Sequence, residues 1–174
     1  MPPVQSTTRR LLASVPRALL LLAASALVAG CGFHLRNEAD IPYQSIYIES
    51  SGPSPVADDL RQMITRSGHP EKLASSPAKA ERIIQIMEET GQMLILAING
   101  AGTVSEYQLQ YRVKYRLLTP DGKQVVAPAT IFLTRNMNYN PSLPYAYGNE
   151  EQFLNNDMQS DVAHQILHRL AVLH

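Results

Sequence analysis

The chain has 174 residues, with 15 Lys and Arg, 15 Asp and Glu, and a single cysteine. The charge balance lacks the basic excess of nucleic-acid-binding domains, and one cysteine excludes an internal disulfide. Stability must therefore come from packing.

The first 30 residues have the parts of a secretory signal. Three arginines precede an apolar centre, residues 18–28, which is shorter than the roughly 20 residues that a membrane-spanning helix requires. The sequence Val28-Ala29-Gly30-Cys31 then resembles the lipobox of bacterial lipoproteins, in which the cysteine is acylated and becomes the first residue after cleavage. The alternative is an ordinary signal peptide that leaves Cys31 as a free thiol.

Cleavage after residue 30 leaves 174 − 30 = 144 residues, with 15 − 3 = 12 basic and 15 acidic side chains and a net charge of −3. Acyl chains on Cys31 would anchor the protein, since each buried methylene contributes about 0.8 kcal/mol. Gly32 stands where an Asp would resemble the inner-membrane retention signal, so sorting to the periplasmic leaflet of the outer membrane is predicted. Residues 31–44 are predicted to form an acylated tether, and residues 45–174 a single domain.

The first half of the domain reads as a strand and a helix. Residues 45–49 predict a short strand. Ser54 is predicted to cap a helix with Pro55 at its first position, and Gly68 to end it. Residues 69–79 have neither helical nor strand periodicity, which predicts a surface connection.

Three strands are predicted next. Residues 81–98 form a long one with a bend or bulge near Thr90-Gly91. In the strand after it, apolar side chains that face the core alternate with polar and basic side chains that face solvent. Its predicted core positions are Leu109, Tyr111, Val113, Tyr115 and Leu117. Residues 120–123 predict a turn into a partner strand, residues 124–135.

The C-terminal part is predicted to hold a long loop and a helix. Residues 136–148 include three tyrosines and two prolines, typical of a loop that contacts something. Asn149 and Gln152 resemble a capping box for an amphipathic helix whose core side includes Phe153. The order β-α-β-β-β-α predicts an α+β fold, in which two helices cover one face of a mainly antiparallel four-stranded sheet.

Several motifs together resemble one family. The sequence Cys31-Gly32-Phe33-His34-Leu35-Arg36 closely resembles the start of mature lipoproteins of the LptE family, also called RlpB. Glu106-Tyr107-Gln108 and Arg135, followed by Asn140-Pro141 and Asn149-Glu150, agree with later segments of that family.

The resemblance implies a non-enzymatic protein with no cofactor. LptE-like proteins lie inside the outer-membrane β-barrel LptD as a 1:1 plug, help that barrel to assemble, and bind lipopolysaccharide on its way to the cell surface. A tether of about 13 residues reaches on the order of 40 Å, which is more than a bilayer core of about 30 Å.

The candidate lipopolysaccharide-binding residues are Arg112, Lys114 and Arg116, which alternate along one strand and so project from one face. Guanidinium and ammonium groups at that spacing suit the phosphates of lipid A. The alternative is an ordinary solvated face, and neither the turn before Glu106 nor residues 136–148 supply another Lys or Arg.

The candidate barrel-contact residues are aromatic or lie beside the lipid. Tyr139, Tyr145 and Tyr147 offer large amphipathic contact area, although a loop packed on itself is an equal alternative. His34 and Arg36 are candidates for contact with headgroups or the barrel wall, or are simple linker residues.

Two other classes of protein remain as alternatives. His164 and His168 lie four apart on a helix, a spacing that binds metal, but no third ligand or nucleophile motif accompanies them. No catalytic residue or metal site is therefore predicted. A lipoprotein adaptor that binds peptide at an open sheet edge shares the lipobox and the fold.

Overall fold

The computed structural model describes residues 41–142 and 144–172, with only the backbone given for residues 144–146. Cys31, His34 and Arg36 lie outside the described residues. The elements are β1 (Ile46–Ser50), α1 (Pro55–Arg66), β2 (Arg82–Ile98), β3 (Val104–Leu118), β4 (Gln124–Asn138) and α2 (Pro144–Ala171). Two short 3-10 turns, Pro70–Lys72 and Pro77–Lys79, connect α1 to β2.

The four strands form one sheet in the order β1-β2-β3-β4. β1 is parallel to β2, while β2, β3 and β4 are successively antiparallel. The parallel pair is short, from Ile46 opposite Arg82 to Ser50 opposite Ile86, so most of β2 extends beyond β1. The predicted α+β class and element order are confirmed.

Both helices pack on one face of the sheet, which we call the inner face. All five predicted core residues of β3 are buried, because alternate residues of a strand point to the same side. They join one hydrophobic cluster with residues of β1 and both helices. The helical members include Val56, Leu60, Ile64, Met158, Val162, Ile166 and Leu170.

The start of α1 agrees with the sequence prediction. The Ala57 N–H donates to the Ser54 hydroxyl oxygen over 3.0 Å, and Pro55 occupies the first helical turn, where its missing N–H has no helical partner to lose. Gly68 follows the helix with φ of +83°, a conformation that favours glycine.

Of the predicted bend or bulge near Thr90-Gly91, the bulge was wrong in position. Pairing with β3 is regular from Glu88 to Ile95, and the register shifts lie between Ile86 and Glu88 and after Ile95. Gly91 instead lies against an aromatic ring, since a Cβ there would come within 3.3 Å of Cδ2 of Tyr111. The glycine signals close packing here, not a bulge.

The predicted loop 136–148 and the helix start at Asn149 were also wrong. β4 continues to Asn138 because it keeps pairing with β3 as far as Glu106. α2 begins at Pro144, so Asn149 lies inside the helix. Phe153, predicted to face the core, is 68% exposed, because it lies off the helical stripe that meets the sheet.

Candidate functional site

The basic stripe, defined as Arg112, Lys114 and Arg116 of β3, lies on the outer face of the sheet, opposite the inner face. Within residues 41–142 and 144–172, both helices are on the inner side, which leaves this face open. Arg112 is exposed and the other two are half-buried. The structure thus places the three predicted cations side by side, as their spacing requires.

Arg112 has an aromatic neighbour across the strand pair. Its guanidinium carbon lies 4.6 Å from the ring centroid of Phe132 on β4, which is its register partner. This distance lies within the range of a cation–π contact, and Arg112 remains exposed. Phe132 carries no signal in the sequence alone, because its pairing with Arg112 depends on the register between two strands.

The other two cations face polar groups. The Arg116 Nε donates to Oε1 of Gln85 over 2.6 Å, and Nε2 of Gln85 donates to Oε2 of Glu49 over 2.7 Å. Lys114 lies opposite Glu88 in the β2–β3 register. No carboxylate of the described chain lies within 4.0 Å of any of the three cations. The stripe is therefore not paired with a carboxylate in the described structure, and Arg112 is its most accessible member.

A row of amides continues the outer face beyond Arg112. Nε2 of Gln92 donates to Gln110 over 2.8 Å, Nε2 of Gln110 donates to Gln108 over 2.8 Å, and Nε2 of Gln108 donates to Asn136 over 3.3 Å. These amides cross three strands and give the face alternating donors and acceptors. Over the basic stripe and this row of amides, the outer face is mostly polar, with Phe132 and Leu94 as exposed apolar exceptions.

The tyrosine cluster consists of Tyr107, Tyr139 and Tyr147. The ring centroids of Tyr139 and Tyr147 are 4.9 Å apart, and that of Tyr107 lies 5.3 Å from Tyr139 and 5.7 Å from Tyr147. The Tyr147 hydroxyl donates to the sulfur of Met93 over 2.9 Å. Burial, followed by the charge of Glu151, raises the pKa of Tyr147.

Two of the three predicted barrel-contact tyrosines thus meet each other, together with Tyr107, which the sequence analysis did not select. All three are half-buried, so part of each ring stays accessible. Tyr145 lies in the first turn of α2. The cluster joins the end of β4 and the start of α2 to β2 and β3.

The polar side of α2 is tied to β4. NH2 of Arg135 lies 3.2 Å from a carboxylate oxygen of Asp157 and 2.5 Å from one of Asp161. His164 and His168 are exposed on the same helix. Within the described parts of the chain, no three His, Cys, Asp or Glu residues are grouped to hold a metal ion. No helix in those parts is long and apolar enough to cross a membrane.

The comparisons with known proteins agree with one another. Residues 43–170 match the model of the LptE family, described as lipopolysaccharide-assembly. The LPS-assembly lipoprotein LptE of Yersinia enterocolitica is 29% identical over 161 residues, which are 90% of this chain and 76% of that protein.

Solved structures extend this agreement to the fold. An uncharacterized lipoprotein B from Nitrosomonas europaea is 30% identical, with a TM-score of 0.69 over 80% of this chain and 90% of that chain. A rare lipoprotein B from Shewanella oneidensis has the same fold, with a TM-score of 0.62 at 21% identity, over 74% of this chain and 94% of that one. Because the family model spans the domain from residue 43 to residue 170, the chain belongs to the LptE family of lipopolysaccharide-assembly lipoproteins.

Proposed function

We propose that this lipoprotein is a non-enzymatic component of the outer-membrane lipopolysaccharide translocon. Acyl chains on Cys31 hold it in the periplasmic leaflet of the outer membrane. Its domain occupies the lumen of an LptD-type β-barrel as a 1:1 partner, assists the assembly of that barrel, and binds lipopolysaccharide for delivery to the cell surface. The function requires neither a cofactor nor nucleic acid.

The observation that carries this proposal is the family match over residues 43–170. The relatives from Yersinia and Photorhabdus are named LPS-assembly lipoprotein LptE, and this chain covers 76% and 85% of their lengths. The lipobox and the hexapeptide that begins at Cys31 support the lipid anchor and lie before the residues that the family model matches.

The outer face supports a place in a barrel lumen. The interior of a large membrane barrel is polar, and the outer face carries the basic stripe and the row of amides. The cations and amides of this open sheet face can form hydrogen bonds with a polar barrel wall and with the phosphates of a ligand. Arg112 is the best placed of the three cations to meet a lipid A phosphate, because it is exposed and has no carboxylate beside it in the described structure.

A pull-down tests the partner. The full-length, C-terminally tagged protein would be purified in detergent from the outer membranes of its own host, and the eluate run on a gel with and without heating. We expect one large heat-modifiable barrel in an equal molar amount. An untagged strain is the control for carry-over. A clean lipoprotein with no barrel would contradict the proposal and favour an adaptor of another envelope machine.

A further inference from the structure

A methionine sulfur on the inner face of the sheet accepts a hydrogen bond from a phenol. The hydroxyl of Tyr147 donates to Sδ of Met93 on β2 over 2.9 Å. Tyr147 lies in the first turn of α2, and its ring packs against Tyr107 and Tyr139 in the tyrosine cluster. The sulfur therefore links β2 to the start of α2 and to the cluster.

The same sulfur belongs to an accessible side chain. Met93 is 39% exposed. The other methionines of residues 41–142 and 144–172 are half-buried or buried, and they are Met63, Met87, Met137 and Met158. Oxidation of a methionine requires contact between the oxidant and the sulfur, so it follows exposure. A peroxide is therefore expected to oxidise Met93 before the others.

The oxidation needs only a peroxide as co-reactant. A lone pair of the sulfur attacks one peroxide oxygen, and the S–O bond forms as the O–O bond breaks. With hydrogen peroxide, the departing hydroxide takes the proton of the transferred oxygen and leaves as water. The sulfur loses two electrons and the peroxide gains them, which gives methionine sulfoxide, a product that epimer-specific reductases return to the thioether. The signal segment predicts export to an oxidising compartment, where peroxides can act.

The hydrogen bond makes the two sides of the sulfur unequal. A thioether sulfur has a lone pair on each side of its C–S–C plane, and addition of oxygen to the two sides gives two different sulfoxide epimers. Tyr147 donates to one side of Met93, so oxidation on that side first requires this hydrogen bond to break. Oxidation on the other side avoids that cost. One epimer is therefore expected to dominate.

The sulfoxide is expected to change the tyrosine cluster. Its S–O bond makes the sulfur positive, so the sulfur becomes a poor acceptor for the phenol. The hydroxyl of Tyr147 must then turn to the new oxygen or to water, and its ring moves against Tyr107 and Tyr139. Oxidation of a β2 side chain thereby alters the packing at the start of α2.

We propose that Met93 is a site of reversible oxidation by peroxide, at which the hydroxyl of Tyr147 selects the sulfoxide epimer and the tyrosine cluster responds to the product. The site goes beyond the proposed function, because its chemistry requires the folded chain and a peroxide but neither a barrel nor lipopolysaccharide.

Peptide mass spectrometry tests the site. The full-length lipidated protein in detergent would be treated with hydrogen peroxide, sampled over time and digested. We expect Met93 to gain one oxygen about tenfold faster than the buried Met137 and Met158. Equal rates at Met93 and at the half-buried Met63 or Met87 would overturn the assignment of the site.

The epimer ratio tests the role of Tyr147. Peptides that contain oxidised Met93 would be divided between the two epimer-specific sulfoxide reductases, and the fraction that each enzyme reduces would be measured. We expect one epimer in about fivefold excess, the factor that corresponds to one net hydrogen bond, and a nearly equal mixture from Tyr147→Phe. Tyr139→Phe is the matched control, because its ring belongs to the cluster but the sulfur accepts from Tyr147. The same ratio in the wild type and Tyr147→Phe would overturn the selection.

Near-ultraviolet circular dichroism tests the response of the cluster. The chain has eight tyrosines and no tryptophan, so tyrosines dominate this spectrum. We expect peroxide to change the spectrum of the wild type and of the control Met87→Leu, but not that of Met93→Leu. The reductase for the major epimer should restore the wild-type spectrum.

Two outcomes would overturn this part of the proposal. A spectrum that stays unchanged when Met93 is fully oxidised would mean that the cluster does not respond. A changed spectrum that neither reductase restores would mean that the oxidation is not reversible in the folded protein. Far-ultraviolet circular dichroism of each variant checks that it is folded.

Discussion

The carboxylate of Glu89 on β2 accepts a hydrogen bond from the hydroxyl of Tyr111 on β3, on the inner face of the sheet. The same carboxylate accepts from the Ser54 hydroxyl and, over 3.2 Å, from the N–H of Val56. One side chain thus joins two strands to the start of α1, where negative charge is also favoured by the helix dipole.

Removing the phenol tests this junction. We expect Tyr111→Phe to lower the free energy of unfolding by about 1–3 kcal/mol, because the half-buried Glu89 carboxylate loses a donor. Urea unfolding at pH 7 of the mature chain with Cys31→Ala measures the change. Tyr115→Phe is the matched control, since Tyr115 is buried on the same face of β3 and its hydroxyl has no hydrogen bond in the described structure. An equal loss from both variants would contradict the role of Glu89.

The same phenol predicts a loss of stability in alkali. Burial, and then the hydrogen bond to Glu89, raises the pKa of Tyr111. Above pH 10 the unfolded chain loses the phenolic proton while the folded chain keeps it, so the free energy of unfolding falls as pH rises. The slope is expected to steepen through pH 10 and to approach about 1.4 kcal/mol per pH unit above it. Urea unfolding measured between pH 9 and 11 should show that the free energy of unfolding falls less steeply with pH in Tyr111→Phe than in the wild type. Equal slopes for the two proteins would contradict this prediction.

Arg135 predicts a salt-dependent contribution to stability. Its bonds to Asp157 and Asp161 join β4 to α2, but its side chain is 33% exposed and theirs 44% and 46%, so solvent screens them. We expect Arg135→Met to lower the free energy of unfolding by about 0.5–1 kcal/mol, and Arg135→Lys to lower it by less. Thermal melting at low and high salt is the measurement. The control is Lys79→Met, because Lys79 is exposed and its side chain forms no ion pair in the described structure. No difference between the two variants would mean that the pairing contributes nothing.

The basic stripe predicts how lipopolysaccharide binds. The triple variant Arg112→Ala, Lys114→Ala and Arg116→Ala should weaken binding about threefold to tenfold, and make it less sensitive to salt, if the stripe contacts phosphate. Binding of purified lipopolysaccharide at two salt concentrations measures both effects. Lys123→Ala, an exposed cation in the β3–β4 turn, is the control. Unchanged binding would make the stripe an ordinary solvated face.

We expect Cys31→Ala to give a folded protein that lacks its membrane anchor. The core of the described residues begins at Ile41, ten residues further along the chain (41 − 31), so we expect its packing to be independent of the thiol. We expect the variant to move from the membrane fraction to the soluble periplasm with an unchanged circular dichroism spectrum. A variant that stayed in the membrane would show that the lipid is not the anchor.

The sequence by itself determined the features that depend on neighbouring residues. The cap at Ser54, the alternating face of β3 and the order of the elements are properties of short segments, where side-chain periodicity and backbone propensity act locally. The lipobox before Cys31 and the family resemblance have the same origin, since each is a short linear motif.

Only the tertiary structure decided the features that depend on pairing between distant segments. β4 reaches Asn138 because β3 offers it partners, which turned a predicted loop into strand. The strand register places the Glu89 carboxylate at the first turn of α1, where it accepts from the N–H of Val56. It also places Tyr107 against Tyr139 and Tyr147. β2 extends past Ile86 without a neighbour on one side because β1 is short, and the length of a neighbouring strand cannot be read from the sequence of β2.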